Sequence, residues 1–301
     1  MSSVASGGAP AASDHAGAWP AVLGRGAIGL VIAIVIAVAL AFLVLPIVAL
    51  ITYQPLGDLI GNFGSRVALD AIQVSLKTNA IAFALMIVFG TPFAYVLARW
   101  RFPGRSVVIT LVELPLVMPP AVAGLGLLVT FGRLGLLGHT LGALGIELAF
   151  SQGAVVMAIA FVASPFYLRG AIAAFEAVDQ TLIDVAGTLG AGPARRLLRV
   201  AIPLAGGGLG AAAAVDFARG IGEFGATILF AGSFQGTTQT LPLAVYALFD
   251  ANLDQAIAIG VLLIIVSGAI LLTSKLLVSS WPTFWKLTSL WPGARSSFAR
   301  R

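Results

Sequence analysis

Six apolar runs, each long enough to cross a bilayer, constrain this chain more than any other feature. They cover about residues 27–52, 72–98, 106–131, 149–171, 203–230 and 255–278, and a spanning helix needs about 20 apolar residues. A backbone inside hydrocarbon must satisfy its own N–H and C=O groups, so runs of this length read as α-helices. The expected fold class is all-α and polytopic, with about six transmembrane helices. Only 10% of the 301 residues are charged, far below the roughly 25% of a soluble domain.

The runs carry their own breaks. Pro46, Pro92, Pro115, Pro119, Pro120 and Pro165 fall within or near them, and neighbouring helices can satisfy the carbonyls that proline frees. Met118-Pro119-Pro120 predicts a break in the third span, with Gly124, Gly126, Gly132, Gly135 and Gly138 allowing close packing beyond it. Residues 1–26 are rich in Ala, Ser, Gly and Pro and read as a disordered cytoplasmic tail. A signal peptide is the competing reading, but the run from Ala27 to Thr52 is longer than a cleavable apolar core and is kept as a spanning helix. Residues 27–278 then form the transmembrane domain. Residues 279–301, with Trp281, Trp285 and Trp291 among Lys and Arg, read as a basic interfacial tail.

Orientation follows from the loops, because short cytoplasmic loops collect Lys and Arg. With the N-terminus inside, cytoplasmic segments receive Arg25, Arg99, Arg101, Arg105, Arg169, Arg195, Arg196, Arg199, Lys275, Lys286, Arg295, Arg300 and Arg301, thirteen of the seventeen cations. Arg66, Lys77 and Arg133 fall outside and Arg219 inside a span. The same dispersal argues against nucleic acid as a partner, despite the net charge of +5, since the cations form no patch with interleaved aromatics.

One stretch looks soluble: DQTLIDVAGTLGAGPARRLLRVAIP, residues 179–203. Asp179 suits an N-cap, and Leu182, Ile183, Ala186 and Leu189 recur at helical spacing as an apolar stripe. Gly190 ends that helix. Gly190 and Gly192 permit a sharp elbow, and Pro193 suits the first turn of a second short helix carrying Arg195, Arg196 and Arg199.

A second stretch places charge at membrane depth. Asp216, Arg219 and Glu223 stand at i, i+3 and i+7, the spacing of one helix face. Buried charge of this kind costs about 2.5–3.5 kcal/mol per residue and usually faces a cavity or a partner. Spacing alone leaves two readings open: a pore or gate face, or a self-neutralising cluster that packs the bundle.

The 179–203 stretch resembles the cytoplasmic coupling loop of ABC importer permeases, whose signature is EAA, three residues, G, nine residues, then I-x-L-P. Here Asp184-Val185-Ala186, Gly190 and Val200-Ala201-Ile202-Pro203 keep every spacing, with conservative changes of residue. In that family the loop docks into a cleft on a separate ATPase subunit, which the resemblance implies for Asp184, Ala186, Gly190 and Pro203. An ordinary amphipathic hairpin is the plainer alternative. FARGIGEFGATILFAG at 217–232, TQTLPLA at 238–244, LPLVMPPAVAG at 114–124 and FGRLGLLG at 131–138 are similar to molybdate importer permeases, with sulfate and thiosulfate permeases as relatives. The resemblance spans roughly residues 70–275.

It implies a type I ABC importer permease fold, a homodimer in the bacterial cytoplasmic membrane, ATPase subunits and an external oxyanion-binding protein as partners, and molybdate as cargo. Sulfate, thiosulfate or tungstate is the alternative cargo. ATP is expected on the partner, because Lys77, Lys275 and Lys286 lack the glycines of a phosphate-binding loop. No cofactor or metal is expected in this chain, which has no cysteine and only His15 and His139. A membrane hydrolase would need a nucleophile–base pair or an H-E-x-x-H that the sequence lacks. A proton-coupled transporter using Asp216 and Glu223 remains open on physics.

Overall fold

The computed structural model describes residues 19–280, and among these every regular element is helical. Contacts divide the chain after Tyr53. The first unit is a single helix, α1 (Trp19–Thr52), whose apolar side chains from Ile28 onward are exposed almost throughout, as expected of a helix solvated by lipid. It begins inside the stretch assigned above to the 1–26 tail. The earlier part of that tail and the tryptophan-rich segment 281–301 lie outside the described residues.

The second unit holds the remaining helices. After a short α2 (Leu56–Phe63), α3 (Arg66–Leu85) and α4 (Thr91–Arg99) form one 34-residue span joined by a widened π-helical turn at Met86–Gly90. The wide turn directly precedes Pro92, which lacks the N–H that the carbonyl four residues back would otherwise accept from. The same solution recurs later. α10 (Pro193–Arg196) and α11 (Ile202–Ile221) are joined by a π-helical turn at Leu197–Ala201, directly before Pro203.

The third apolar run breaks where Met118-Pro119-Pro120 predicts. α5 (Arg105–Val117) and α6 (Pro120–Phe131) meet at 113°. The glycines past the break close a tight turn leading to α7 (Gly138–Ala143), in which a side chain at Gly138 would collide with the Gly132 carbonyl. α8 (Gln152–Glu176), α9 (Gln180–Thr188), α12 (Gly225–Ala231), α13 (Leu241–Leu248) and α14 (Leu253–Ser280) complete the unit. Among the described residues, by length and apolarity, five helices can cross a membrane, or six if the bent α5–α6 pair counts as one span. This agrees with the six runs in the sequence.

α8 is the hub. It packs against α3, α4, α5, α6, α11 and α12, and Val155, Ile159, Val162, Tyr167, Ala171 and Phe175 are all buried along it. Lipid gives helices no hydrophobic reason to associate, so close contact depends on small residues. Gly170 and Ala174 of α8 meet Ala212 and Gly208 of α11 in antiparallel order. A Cβ on Gly170 would stand 2.5 Å from Ala212 Cβ, and one on Gly208 2.6 Å from Ala174 Cβ. Polar pairs add specificity: Thr91 and Tyr167 share a 2.6 Å hydrogen bond, Asn79 donates to the Phe217 carbonyl, and Ser75 accepts from the Leu241 N–H.

Candidate functional site

The segment between α8 and α11 is built mostly by local rules. Asp179 caps α9 by accepting from the Thr181 N–H at 2.8 Å. The far end closes with two backbone bonds, Gly190 N–H to the Gly187 carbonyl and Ala191 N–H to the Ala186 carbonyl. This is the pattern of a helix end with a left-handed residue just beyond it, and Gly190 supplies it with φ +84°. The Ala186-to-Gly190 spacing is thus the spacing that ends a helix. Asp184 accepts from Gln180, which itself accepts from Arg99 of α4. Arg99 also donates to the Phe175 and Val178 carbonyls, so one guanidinium closes the end of α8 and holds the start of α9.

Two expectations change here. The predicted apolar stripe is not one face: Ile183 alone is buried against the bundle, Ala186 is half-buried, and Leu182, Val185 and Leu189 are exposed. The three exposed residues are three and four positions apart, so α9 anchors through Ile183 and presents an apolar row to the outside. The second helix is also not a separate short one. Pro193–Ile221 runs as one 29-residue helical span through the π-helical turn before Pro203. Pro203 therefore lies within that helical span, about three turns after the elbow.

The Asp216, Arg219 and Glu223 stretch departs further from expectation. α11 ends at Ile221, so Glu223 is not on its face but in the break before α12. Glu223 is almost fully buried, pairs with Arg219 at 2.9 Å and accepts from the Ala226 N–H at 2.9 Å. It therefore neutralises the arginine and caps the next short helix. The break is pinned by close approach: a Cβ on Gly124 of α6 would lie 2.5 Å from the Ala226 carbonyl, and one on Gly225 would lie 2.7 Å from Pro120. Asp216 joins neither partner. It is 3% exposed, and its Oδ1 has no hydrogen bond. The predicted three-residue cluster is thus an Arg219–Glu223 pair plus a separate buried acid.

Arg169, counted above with the cytoplasmic cations, is part of a helix. It lies within α8, seven residues before Glu176, and pairs with Glu113 of α5 at 3.1 Å. Glu113 is an acid inside the apolar run 106–131, and such an acid needs a cation at its own depth.

A bundle of kinked spans around one central helix, with a capped helix–glycine elbow between two spans, defines a polytopic helical membrane protein. The chain belongs to the family described as the binding-protein-dependent transport system inner membrane component, which matches residues 90–281. It is 44% identical over 204 residues to the molybdenum transport system permease protein ModB of Mycobacterium tuberculosis, covering 67% of this chain and 76% of that protein. Against ModB of Escherichia coli strain K12 it is 38% identical over 213 residues, covering 70% and 92%. Among solved structures it resembles a chain of a bacterial alginate ABC transporter in complex with alginate pentasaccharide-bound periplasmic protein, with TM-score 0.67, 18% identity, and 85% and 95% coverage. At that identity the likeness speaks to the fold, which is that of a type I ABC importer permease.

Proposed function

We propose that this chain is the permease subunit of an ATP-driven importer that carries molybdate into the cytoplasm. The observation that carries the mechanism is α9. It is held by its cap, by Arg99 and by buried Ile183, yet offers Leu182, Val185 and Leu189 outward on a segment lying outside the spans. An apolar row on a rigid support suits a groove on another protein, and the proposed partner is an ATPase subunit. The 44% identity to a molybdenum permease supports the cargo.

In this reading ATP binds and is hydrolysed on the partner, and this chain holds no cofactor. Two copies form the path, the N-terminus lies in the cytoplasm, and an external oxyanion-binding protein delivers the anion. Specificity then resides mainly in that binding protein. A stroke of the ATPase pair would move α9, and α9 is continuous through Arg99 with α4 and α8. The proton-coupled alternative loses one of its two sites, because Glu223 is committed to Arg219 and Ala226.

Reconstitution tests the reading. The chain alone should hydrolyse no ATP, and with ATPase subunits and binding protein it should accumulate molybdate in vesicles in preference to sulfate. ATP turnover by the lone chain would refute the assignment. Equal uptake of sulfate would overturn the cargo while leaving the importer.

A further inference from the structure

α5 and α8 run antiparallel and are bridged by two ion pairs at different depths. Arg105 and Glu176 pair at 2.7 Å where both helices meet the loops. Glu113 and Arg169 pair at 3.1 Å further in. At 1.5 Å rise per residue the inner pair lies roughly 10–12 Å along the helices from the outer one.

The two arginines are used differently. Arg105 spends Nε on the Leu97 carbonyl and an Nη on Glu176, which is what a structural tether requires. Arg169 meets Glu113 through Nε at 3.1 Å, and among the described residues its two terminal amino groups make no hydrogen bond. Its side chain is 61% exposed, although α8 is covered elsewhere by six other helices. A guanidinium with free terminal donors inside a spanning helix does not face lipid tails without large cost, so the face it occupies is watered or partnered.

Resting on the proposed anion import, we infer that Arg169 is an oxyanion station on the inward half of the path, with Glu113 as its built-in counter-charge. The free Nη groups form a planar fork that matches two oxygens of a tetrahedral dianion. Glu113 remains on Nε, so the anion binds without breaking the pair. Its negative charge keeps the hold weak, and a conducting site must release what it binds. Arg219 spends one of its terminal amino groups on the buried Glu223 and is only 30% exposed, so it offers no open two-donor fork.

The chain has no cysteine, which allows a clean test in the complex assembled with its ATPase and binding protein. Arg169→Cys should react with a membrane-impermeant anionic methanethiosulfonate, and molybdate should slow that reaction. Arg169→Gln should lower the molybdate moved per ATP hydrolysed by at least about tenfold, the loss expected for a charge-assisted pair of hydrogen bonds, and Arg169→Lys should recover part of it. Glu113→Gln should lower the KM for uptake and slow release. An unreactive thiol at 169, or unchanged anion moved per ATP in Arg169→Gln, overturns the station. If Arg169→Gln fails to assemble, the thiol reactivity and its protection by molybdate decide alone. A wild-type complex that moves no oxyanion would instead overturn the functional reading, and labelling at 169 would still report whether that face is watered.

Discussion

The α9 segment and the α11–α12 break both interrupt the run of spanning helices, but they are held in opposite ways. α9 is closed by backbone bonds and caps among near neighbours, from Asp179 to Ala191, and most of its side chains face outward. The break at Gly222–Phe224 is closed by partners distant in sequence or deeply buried: Gly124 and Pro120 against Ala226 and Gly225, and Glu223 against Arg219. A surface built by local rules can change its partner contacts with little loss of fold. A buried joint cannot, so lesions there should appear as lost protein and lesions in α9 as lost coupling.

The largest expected effect sharpens that contrast. Glu223→Ala leaves a charged Arg219 and the Ala226 N–H without their partner inside the bundle, and breaking such a pair costs about 3–5 kcal/mol. Folded yield in the membrane should collapse, as measured by size-exclusion profile and thermal unfolding. Normal yield would show that water or a second copy replaces the carboxylate. Next, Gly124→Val drives a side chain into the Ala226 backbone and should cost about 1–3 kcal/mol, read as a lower Tm with a shifted α6–α12 contact.

Substitutions in α9 should move stability less and function more. Gly190→Leu places a branched side chain at φ +84°, a strain of about 1–2 kcal/mol confined to the elbow. Insertion should stay normal while uptake per ATP falls. Asp179→Asn should have the smallest effect. The Thr181 N–H holds the Asp179 carboxyl below its usual range. A depressed folded value means the cap's contribution is fully present above the ordinary carboxylate pKa of about 3.9 and fades only as pH falls through the lowered value. Uptake in wild type and Asp179→Asn should therefore keep a constant ratio from neutral pH down to about 5. A ratio that drifts across that window would place the carboxyl in another interaction.

The same contrast explains what the sequence made legible. Asp179, Gly190 and Met118-Pro119-Pro120 act through the backbone within a few residues, so their spacing predicts a cap, an elbow and a broken span, and all three are present. The end of α11 was hidden because residues 203–230 are apolar or small almost throughout, with no proline after Pro203 to stop the helix. Gly220, Gly222 and Gly225 were the available sign, but glycines also serve close packing, as Gly208 does. The inward face of α9 was misjudged because periodicity finds an apolar row without saying whether the bundle or a partner covers it. Arg169 fell inside the run drawn to residue 171, but only its pairing with Glu113 on α5 shows that it works at helix depth and not in a loop.

The most direct test of the central claim is molybdate uptake into vesicles holding this chain, its ATPase subunits and its binding protein, comparing wild type with Val185→Asp/Leu189→Asp. Both residues are exposed, so the variant's stability should stay within about 0.5 kcal/mol of wild type. The account predicts that the variant folds and inserts normally, no longer retains the ATPase subunits, and loses ATP-driven uptake. Undiminished uptake with the ATPase still bound would show that α9 is not where this permease meets its motor.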